Sequence, residues 1–426
     1  MIKLKEHKES TYNKPIKSAK LPAKVFIPLN QHCGIPCIPK VNVGDQVKTG
    51  QLIGDLDKGL FAPVHASISG KVLSIQDCPH PDLGSGKAIV IENDKTDAMV
   101  DAKVRTQQEI DKLSIDELQK IIFDAGIVGL GGGAFPTHEK LVPPKKIYYF
   151  ILNGAECEPY LTNDFVLMRE RASEIISGLK IALKILGEPQ CYIAIENNKP
   201  EAIKIMRQLI KDTNFKLKIL KSSYPQGGEK QLTKSVLNRE VPLGGLPFDI
   251  GIVVHNVGTV FAIYEAVYKS KPLYERVITV TGSCLENPQN LLVRIGTTVK
   301  DLLSECGPLL KEPAKVIFGG PMMGVAQYTL DVPVIKSTSG IIFFSKDEVF
   351  IREHRVCCRC SLCIDECPVG IMPAMIAMSA EKERWDLAEN YGALNCIECG
   401  ICSYACPAKR NLVGLIKYAK SRIKVK

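Results

Sequence analysis

Eight cysteines near the end of this chain fall into two runs of identical spacing. Cys357-x-x-Cys360-x-x-Cys363-x-x-x-Cys367-Pro368 is followed by Cys396-x-x-Cys399-x-x-Cys402-x-x-x-Cys406-Pro407. Each is the run of a bacterial two-cluster ferredoxin. Three thiolates on a tight loop grip one cube of iron and sulfide. The fourth, at the start of a helix, points away and reaches the other cube, and the proline after it suits that helix's first turn. One cluster is therefore expected on Cys357, Cys360, Cys363 and Cys406, and the other on Cys396, Cys399, Cys402 and Cys367. A zinc ribbon also uses C-x-x-C pairs, but usually offers four thiolates, not eight in two equal runs.

Of the sixteen cysteines in 426 residues, nine lie between Cys357 and Cys406. A secreted disulfide scaffold spreads its cysteines through a short chain. Clustering in an otherwise ordinary chain points to metal or iron–sulfur ligation in a reducing compartment. Cys358 occupies an x position and reads as a spectator. Cys33 and Cys37 form a C-G-I-P-C pair that reads as small buried or idle thiols, with a metal or redox pair as the other reading. Cys78, Cys191, Cys284 and Cys306 read as ordinary core or surface residues. The length suggests roughly three domains, and 45% hydrophobic residues give each a core. A net charge of +9 is modest and excludes nothing but a strongly basic nucleic-acid binder. The opening MIKLKEHKES lacks the apolar core of a signal peptide. No run of 18 apolar residues appears, so nothing is expected to span a bilayer.

Residues 1–23 are polar and Lys-rich and read as an extended arm. From Lys24 to about Ile91, short β-rich runs (KVFIPL, QLIGDL, ASISGKVLSI, KAIVIE) alternate with glycine turns. VNVGDQVKTGQLI and APVHASISGKV resemble the halves of a biotinyl/lipoyl-type barrel-sandwich. Lys58 lies in the interval where such carriers take their cofactor, but its neighbours are Asp57 and Gly59, which favours a structural barrel with a solvated lysine. From about Gln107, helix and strand alternate. Ser114-Ile-Asp-Glu117 is a capping box. Strands are expected at IYYFILN, CYIAIE, FKLKIL and FDIGIVVHN, and helices around Ile175 to Leu186, 199–211, 229–237 and 258–269. This argues for a mostly parallel sheet covered by helices. Residues 276–310 read as strand, turn, strand and a helix opened near Thr298, resembling a soluble-ligand-binding β-grasp module. Strands VIFGG and IIFFS follow. Lys409, Arg410, Lys417, Lys420, Arg422, Lys424 and Lys426 form a tail of one sign; such tails are usually just solvated, but a contact with the cytoplasmic face of the membrane is the reading favoured here.

Four motifs fall at carboxyl ends of expected strands, where open α/β sheets bind ligands. Gly129 to Lys140 reads GLGGGAFPTHEK, and its consecutive glycines let backbone N–H groups approach a phosphate. It matches neither G-x-G-x-x-G with its downstream acid nor a Walker A. The others are Asn153-Gly-Ala-Glu156-Cys-Glu158-Pro, Tyr224-Pro-Gln-Gly227-Gly-Glu229-Lys230, and His255-Asn256-Val-Gly258-Thr259. Each alone has a structural reading: Glu156 and Glu158 as a helix-initiating acidic pair, Asn256 as an N-cap. Together they make a site.

The glycine loop, the NGAECEP stretch and YPQGGEK resemble the FMN- and NADH-binding subunit of respiratory complex I. The leading barrel-sandwich and the two terminal clusters instead resemble the C-subunit family of Rnf-type ion-translocating ferredoxin:NAD oxidoreductases, over about residues 6 to 420. The resemblance implies a multidomain α/β and α+β chain: an arm (1–23), a barrel-sandwich (24–105), a Rossmann-like FMN/NADH-binding α/β domain (106–272), a β-grasp module with return strands (273–345), and a two-cluster 4Fe-4S ferredoxin-like domain with a basic tail (346–426). It implies FMN phosphate and nucleotide contacts at Gly131, Gly132, Gly133 and Lys140, with Phe135 as a stacking face. Asn153 and Glu158 would lie by the flavin ring and nicotinamide, with Glu158 as the catalytic residue, and Glu229 near the ribose. Glu156, Tyr224, Gly227, Lys230 and Asn256 complete the expected cofactor contacts. Two departures stand out: Ala155 replaces an Asp, and Gly228-Glu229 replaces a Glu pair. The implied function is hydride exchange between NAD(H) and FMN, with single electrons passed through two 4Fe-4S clusters. The protein would sit peripherally on the cytoplasmic side of the membrane, with other subunits of the complex, and ferredoxin through a neighbouring subunit, as partners and no nucleic acid. The alternatives are a cobalamin reductase of a bacterial microcompartment and a cluster-only relay without flavin.

Overall fold

The computed structural model describes residues 1–349 and 355–423. Four sheets organise the chain. Near the N-terminus, two antiparallel sheets face each other. One has the strand order Lys24–Pro28, Gly84–Asn93, Gly70–His80, Gln46–Val47; the other, Ile38–Pro39, Leu52–Asp55, Val64–His65. Alternation along the strands places Val25, Ile27, Ile53, Val64, Val72, Ile89 and Ile91 in one shared core. Lys58 is exposed on a turn of this unit.

The next sheet is wholly parallel, in the order Lys216–Leu220, Gln190–Glu196, Tyr149–Gly154, Ile252–Asn256. The chain runs outward through its first three strands and then returns to the other side of the first. The direction of winding therefore reverses between Tyr149–Gly154 and Ile252–Asn256. Helices Ile115–Asp124, Ala172–Ile185 and Val257–Lys269 pack on this sheet through the largest core of the molecule. The capping box at Ser114 is made in both directions with Glu117. FDIGIVVHN is not one strand: Pro247–Ile250 is a 3-10 turn, and Gly251 at φ 73° redirects the chain into Ile252–Asn256.

A six-stranded mixed sheet follows, ordered Ile16–Ser18, Gln289–Arg294, Glu275–Thr281, Gly340–Ser345, Pro313–Phe318, Val325–Gln327. Thr298 caps the helix Val299–Leu303. The first strand of this sheet comes from the expected arm. Residues 1–23 are not an extended arm but a woven segment: Glu9–Tyr12 is a helical turn, Ile16–Ser18 pairs in parallel with Gln289–Arg294, and Lys8 and Thr11 are buried.

The described residues of the cysteine region form helices and no strands: Leu362–Asp365, Pro373–Glu381, Trp385–Asn390, Ile401–Ala405 and Leu412–Ile423. The last of these corrects the reading of a solvated basic tail. Leu412, Ile416, Ala419 and Ile423 recur at helical spacing and pack against Ile376, Ala377 and Ala380. Arg410 pairs with Glu381, and Lys420 pairs with Glu398 while donating to the Cys396 carbonyl. Lys424 and Lys426 lie outside the described residues. Among the described residues no helix is long and apolar enough to cross a membrane.

Candidate functional site

A cleft of about 760 Å³ opens where the parallel sheet reverses its winding. Open α/β sheets bind ligands at such a reversal, outside the carboxyl ends of the strands. Asn153 and Asn256 sit side by side there, in register on adjacent strands. The four motifs converge on it. Gly131, Gly133, Phe135, Lys140, Asn153, Glu156, Glu158, Tyr224, Gly227, Glu229, Lys230 and Asn256 all border the cleft, and Gly132 alone of the expected residues does not.

The glycine loop is closed by its own backbone. Gly129 N–H donates to Phe135 O (2.8 Å) and Ala134 N–H to Gly129 O (3.1 Å). The N–H groups of Gly131, Gly132 and Gly133 make no hydrogen bond among the described residues. A Cβ at Gly132 or Gly133 would meet nothing within 4 Å, so the loop faces open space, and Gly132 holds φ +101°. Phe135 is 38% exposed beside it. Leu130 N–H donates to Thr259 Oγ1 (2.9 Å), which ties the loop to the first turn of helix Val257–Lys269. Free amide donors next to the positive end of a long helix, with an aromatic face nearby, fit a phosphate-bearing flavin.

The carboxylates behave differently from one another. Glu156 serves as a cap: its Oε1 accepts from Asp164 N–H (2.6 Å) and Phe165 N–H (3.4 Å) at the start of helix Asn163–Glu170. Burial pushes its carboxyl up to about 7, against the pull of the Lys8 ammonium 3.6 Å from Oε2. Glu158 has both oxygens engaged. Oε1 accepts from Met323 N–H (2.9 Å) and lies 3.3 Å from the Tyr224 hydroxyl oxygen, and Oε2 accepts from Met322 N–H (3.1 Å). Burial pushes it to about 7 as well. Lys140 and Glu229, expected at different parts of a ligand, are ion-paired with each other. Asn153 Nδ2 donates to Gly227 O (2.9 Å) and so pins the YPQGGEK stretch to the sheet. Asn256 caps the helix that follows and donates to Asp164 Oδ2 (2.6 Å). Lys230 reaches the Pro242 carbonyl at 3.5 Å.

Several buried ions under the cleft escaped the sequence reading. Lys8 donates to Glu156 O (2.7 Å), and burial lowers its pKa. Lys199 donates to Ala155 O (2.6 Å) and Glu196 (2.9 Å). Arg276, from the six-stranded sheet, donates to Leu130 O (3.3 Å) and holds the glycine loop from beneath; burial lowers it to about 10. Lys8, Lys199 and Arg276 sit in unremarkable local sequence and acquire meaning only through distant partners. His255 Nε2 and Asn163 Oδ1 are buried at the cleft with no hydrogen-bond partner. Burial also holds His255 neutral. Unpaired polar atoms of this kind are costly unless something else binds there.

The cysteines lie in two groups. Cys367, Cys396, Cys399 and Cys402 border one small cavity with Ile397 and Val369. The Cys363 thiol instead feels Cys357 and Cys406. Burial pushes the thiols of Cys399 and Cys402 up to about 11 and about 12, so their ionised form calls for strong positive charge beside them. Among the described residues no three such groups close on a single metal ion. Thiols ringed around a void suit a multi-iron cube better than tetrahedral zinc. Cys358 is exposed. Cys33 is exposed and Cys37 buried, its thiol against Ala62 O (3.4 Å), and both are free. Ile397 borders both the cluster cavity and the cleft, so the two share a wall.

Four family models match the chain: the RnfC barrel sandwich hybrid domain over residues 2–96, the Nuo51 FMN-binding domain over 122–265, the SLBB domain over 277–326 and the 4Fe-4S dicluster domain over 350–416. The C-subunit of the proton-translocating ferredoxin:NAD(+) oxidoreductase complex of Clostridium ljungdahlii is 47% identical, across 98% of this chain and 92% of the relative. The C-subunit of the Na(+)-translocating ferredoxin:NAD(+) oxidoreductase complex of Acetobacterium woodii is 44% identical, across 98% and 94%. The C-subunit of the ion-translocating oxidoreductase complex of Vibrio cholerae is 37% identical, across 90% of this chain but half of the longer relative. Among solved structures, an NAD+-reducing [NiFe]-hydrogenase in the H2-reduced state aligns with a TM-score of 0.53 at 18% identity, over 73% of this chain and 63% of that one, which is a likeness of fold.

Proposed function

The chain belongs to the C-subunit family of ion-translocating ferredoxin:NAD(+) oxidoreductases, and from that membership we propose that it is the subunit where electrons pass between NAD(H), FMN and two 4Fe-4S clusters. The observation that carries this reading is the shared wall: one side borders the cleft of the FMN-binding domain, the other the cavity of Cys367, Cys396, Cys399 and Cys402. FMN, when bound, links the two-electron chemistry of a nicotinamide to the one-electron chemistry of a cluster. The rest is the work of this chain's own residues.

The free N–H groups of Gly131 to Gly133 would hold the phosphate, helped by the dipole of Val257–Lys269. Lys140 would turn from Glu229 toward the ligand's charge. Phe135 would stack on a ring. Asn153, already fixed by Gly227, would orient the flavin edge. Glu158 is held rigidly by the amides of Met322 and Met323, which suits a group that sets position and field rather than one that swings. The eight cysteines in the crossed sets would ligate the clusters. We read the parallel sheet as Rossmann-like, the strand–turn–strand–helix unit from Glu275 as β-grasp, and the cysteine region as ferredoxin-like.

The relatives' names favour this function over a cobalamin reductase, and the FMN-domain match favours it over a cluster-only relay. Peripheral placement on the cytoplasmic face, with other subunits as partners and ferredoxin reached through one of them, belongs to the same proposal. Of the N-terminal lysines, Lys8 is buried and Lys14 engages Asn287, while Lys3, Lys5, Lys17 and Lys20 are exposed. With exposed Lys409 and Arg422 they are the cations available to a membrane contact. The test of the flavin site is Gly133→Asp. A Cβ there meets nothing and φ is not left-handed, so the fold should persist while the carboxylate fills the phosphate space. Flavin absorbance after reconstitution should fall to background with iron content unchanged. Full FMN occupancy would place the site elsewhere.

A further inference from the structure

The wall between the cleft and the cluster cavity is made by remote parts of the chain meeting at Tyr224. This side chain is 1% exposed. Ile2 and Tyr224 exchange backbone hydrogen bonds of 3.0 and 2.8 Å, which fixes the residue in place. Its ring packs with Cys399 and Ile401, and Leu4, Met322 and Ile397 close around them. Its hydroxyl lies 2.8 Å from the Cys399 carbonyl oxygen and 3.3 Å from Glu158 Oε1. A phenol has one proton to donate, and the shorter contact takes it. Gly400 follows directly at φ +77°, and a Cβ there would lie 2.6 Å from Met322 O, so the cysteine loop has no slack on this side. The YPQGGEK stretch is thus joined by a hydrogen bond to the peptide of an expected cluster ligand.

We propose that Tyr224 is a positioning residue for the cluster of Cys367, Cys396, Cys399 and Cys402, holding the Cys399 peptide and raising that cluster's reduction potential. The claim rests on the ligand register proposed above and goes beyond it. Cluster potentials respond to hydrogen bonds and burial around the ligands. The phenol hydrogen places a partial positive charge on the peptide of Cys399, beside a cluster ligand, and positive charge there favours the added electron. Without the hydrogen, the reduced cluster is less stable.

The experiment uses the full chain reconstituted with iron, sulfide and FMN, titrated electrochemically with EPR detection. Cys399→Ser first identifies the signal of this cluster by its loss. Tyr224→Phe keeps the ring and removes the donor. That signal should shift to a more negative midpoint, while the other cluster and the iron content stay as they were. A 3-fluorotyrosine placed at position 224, a stronger donor of nearly the same shape, should shift it the opposite way, and it decides the matter if the phenylalanine variant assembles poorly. An unmoved midpoint in the identified signal, or equal shifts in both clusters, overturns the proposal while leaving the register standing. If Cys399→Ser leaves both signals intact, the register itself is wrong and the proposal falls with it.

Discussion

The two cysteine runs share one spacing and live in different surroundings. In the second, Cys399 and Cys402 are buried, Ile401 is fully so, and the loop is bonded to Tyr224 and to Lys420. In the first, Cys363 is buried too, but Cys360 and its neighbour Cys358 are exposed and Val356 beside them is 88% exposed. Spacing alone specifies which metal group can be held. Which of two equal groups faces the cleft is decided by residues hundreds of positions away, chiefly Ile2, Glu158 and Tyr224. Under the proposed function the buried run would exchange electrons across the shared wall, and the exposed run with another protein.

The most drastic way to break this contrast is to remove the support common to both runs. Truncation after Asn411 deletes four buried side chains of the last helix. At about 1.5–3 kcal/mol for each large apolar one, the cysteine region should fail to fold, with iron content near zero by colorimetric assay. A merely solvated tail would leave it unchanged. Next in size, Cys399→Ser should abolish reduction of the remaining cluster by NADH, while dithionite still reduces it. Cys360→Ser should spare NADH reduction of the buried cluster, followed by freeze-quench EPR. The reverse pattern would exchange the roles of the two runs. Glu158→Gln keeps an acceptor for one Met322–Met323 amide and loses one hydrogen bond, about 1 kcal/mol. FMN should stay bound, and NADH-dependent reduction of an artificial acceptor should slow several-fold. The smallest effect belongs to Cys358→Ser. Its side chain is exposed, so two clusters per chain and a stability within about 0.5 kcal/mol of the parent are expected by iron analysis and thermal melting.

Much of the fold was legible because its signals are local. Ser114 with Glu117, Thr298 as a cap, and the Ile175–Leu179–Ala182 face each need only a few neighbouring residues. The woven N-terminal segment was not legible. Three residues, Ile16–Ser18, carry too little pattern to announce a strand, and their partners lie at Asn290 to Leu292. The last helix was hidden for another reason: its apolar positions were present, but Lys417, Lys420 and Arg422 among them, with more basic residues on either side in the sequence, masked the periodicity. At the site, the converging motifs were visible as types of residue. The division of labour was not. Glu156, at φ 51°, caps a helix, whereas Glu158 braces the wall, and two glutamates two residues apart look alike until the backbone turns between them.

The seating of residues 2 to 18 bears on the order of assembly. This stretch leaves the ribosome before any of its partners exists. Ile2 waits for Tyr224, Ile16 for Asn290, and Leu4 for the neighbourhood of Cys399. Domains generally form as units while synthesis proceeds, so the sandwich and the parallel sheet can be complete while the segment before them is still loose. A segment made early is thus among the last to dock, and Ile2 and Leu4 close over Tyr224 and Cys399 only when everything behind them is in place.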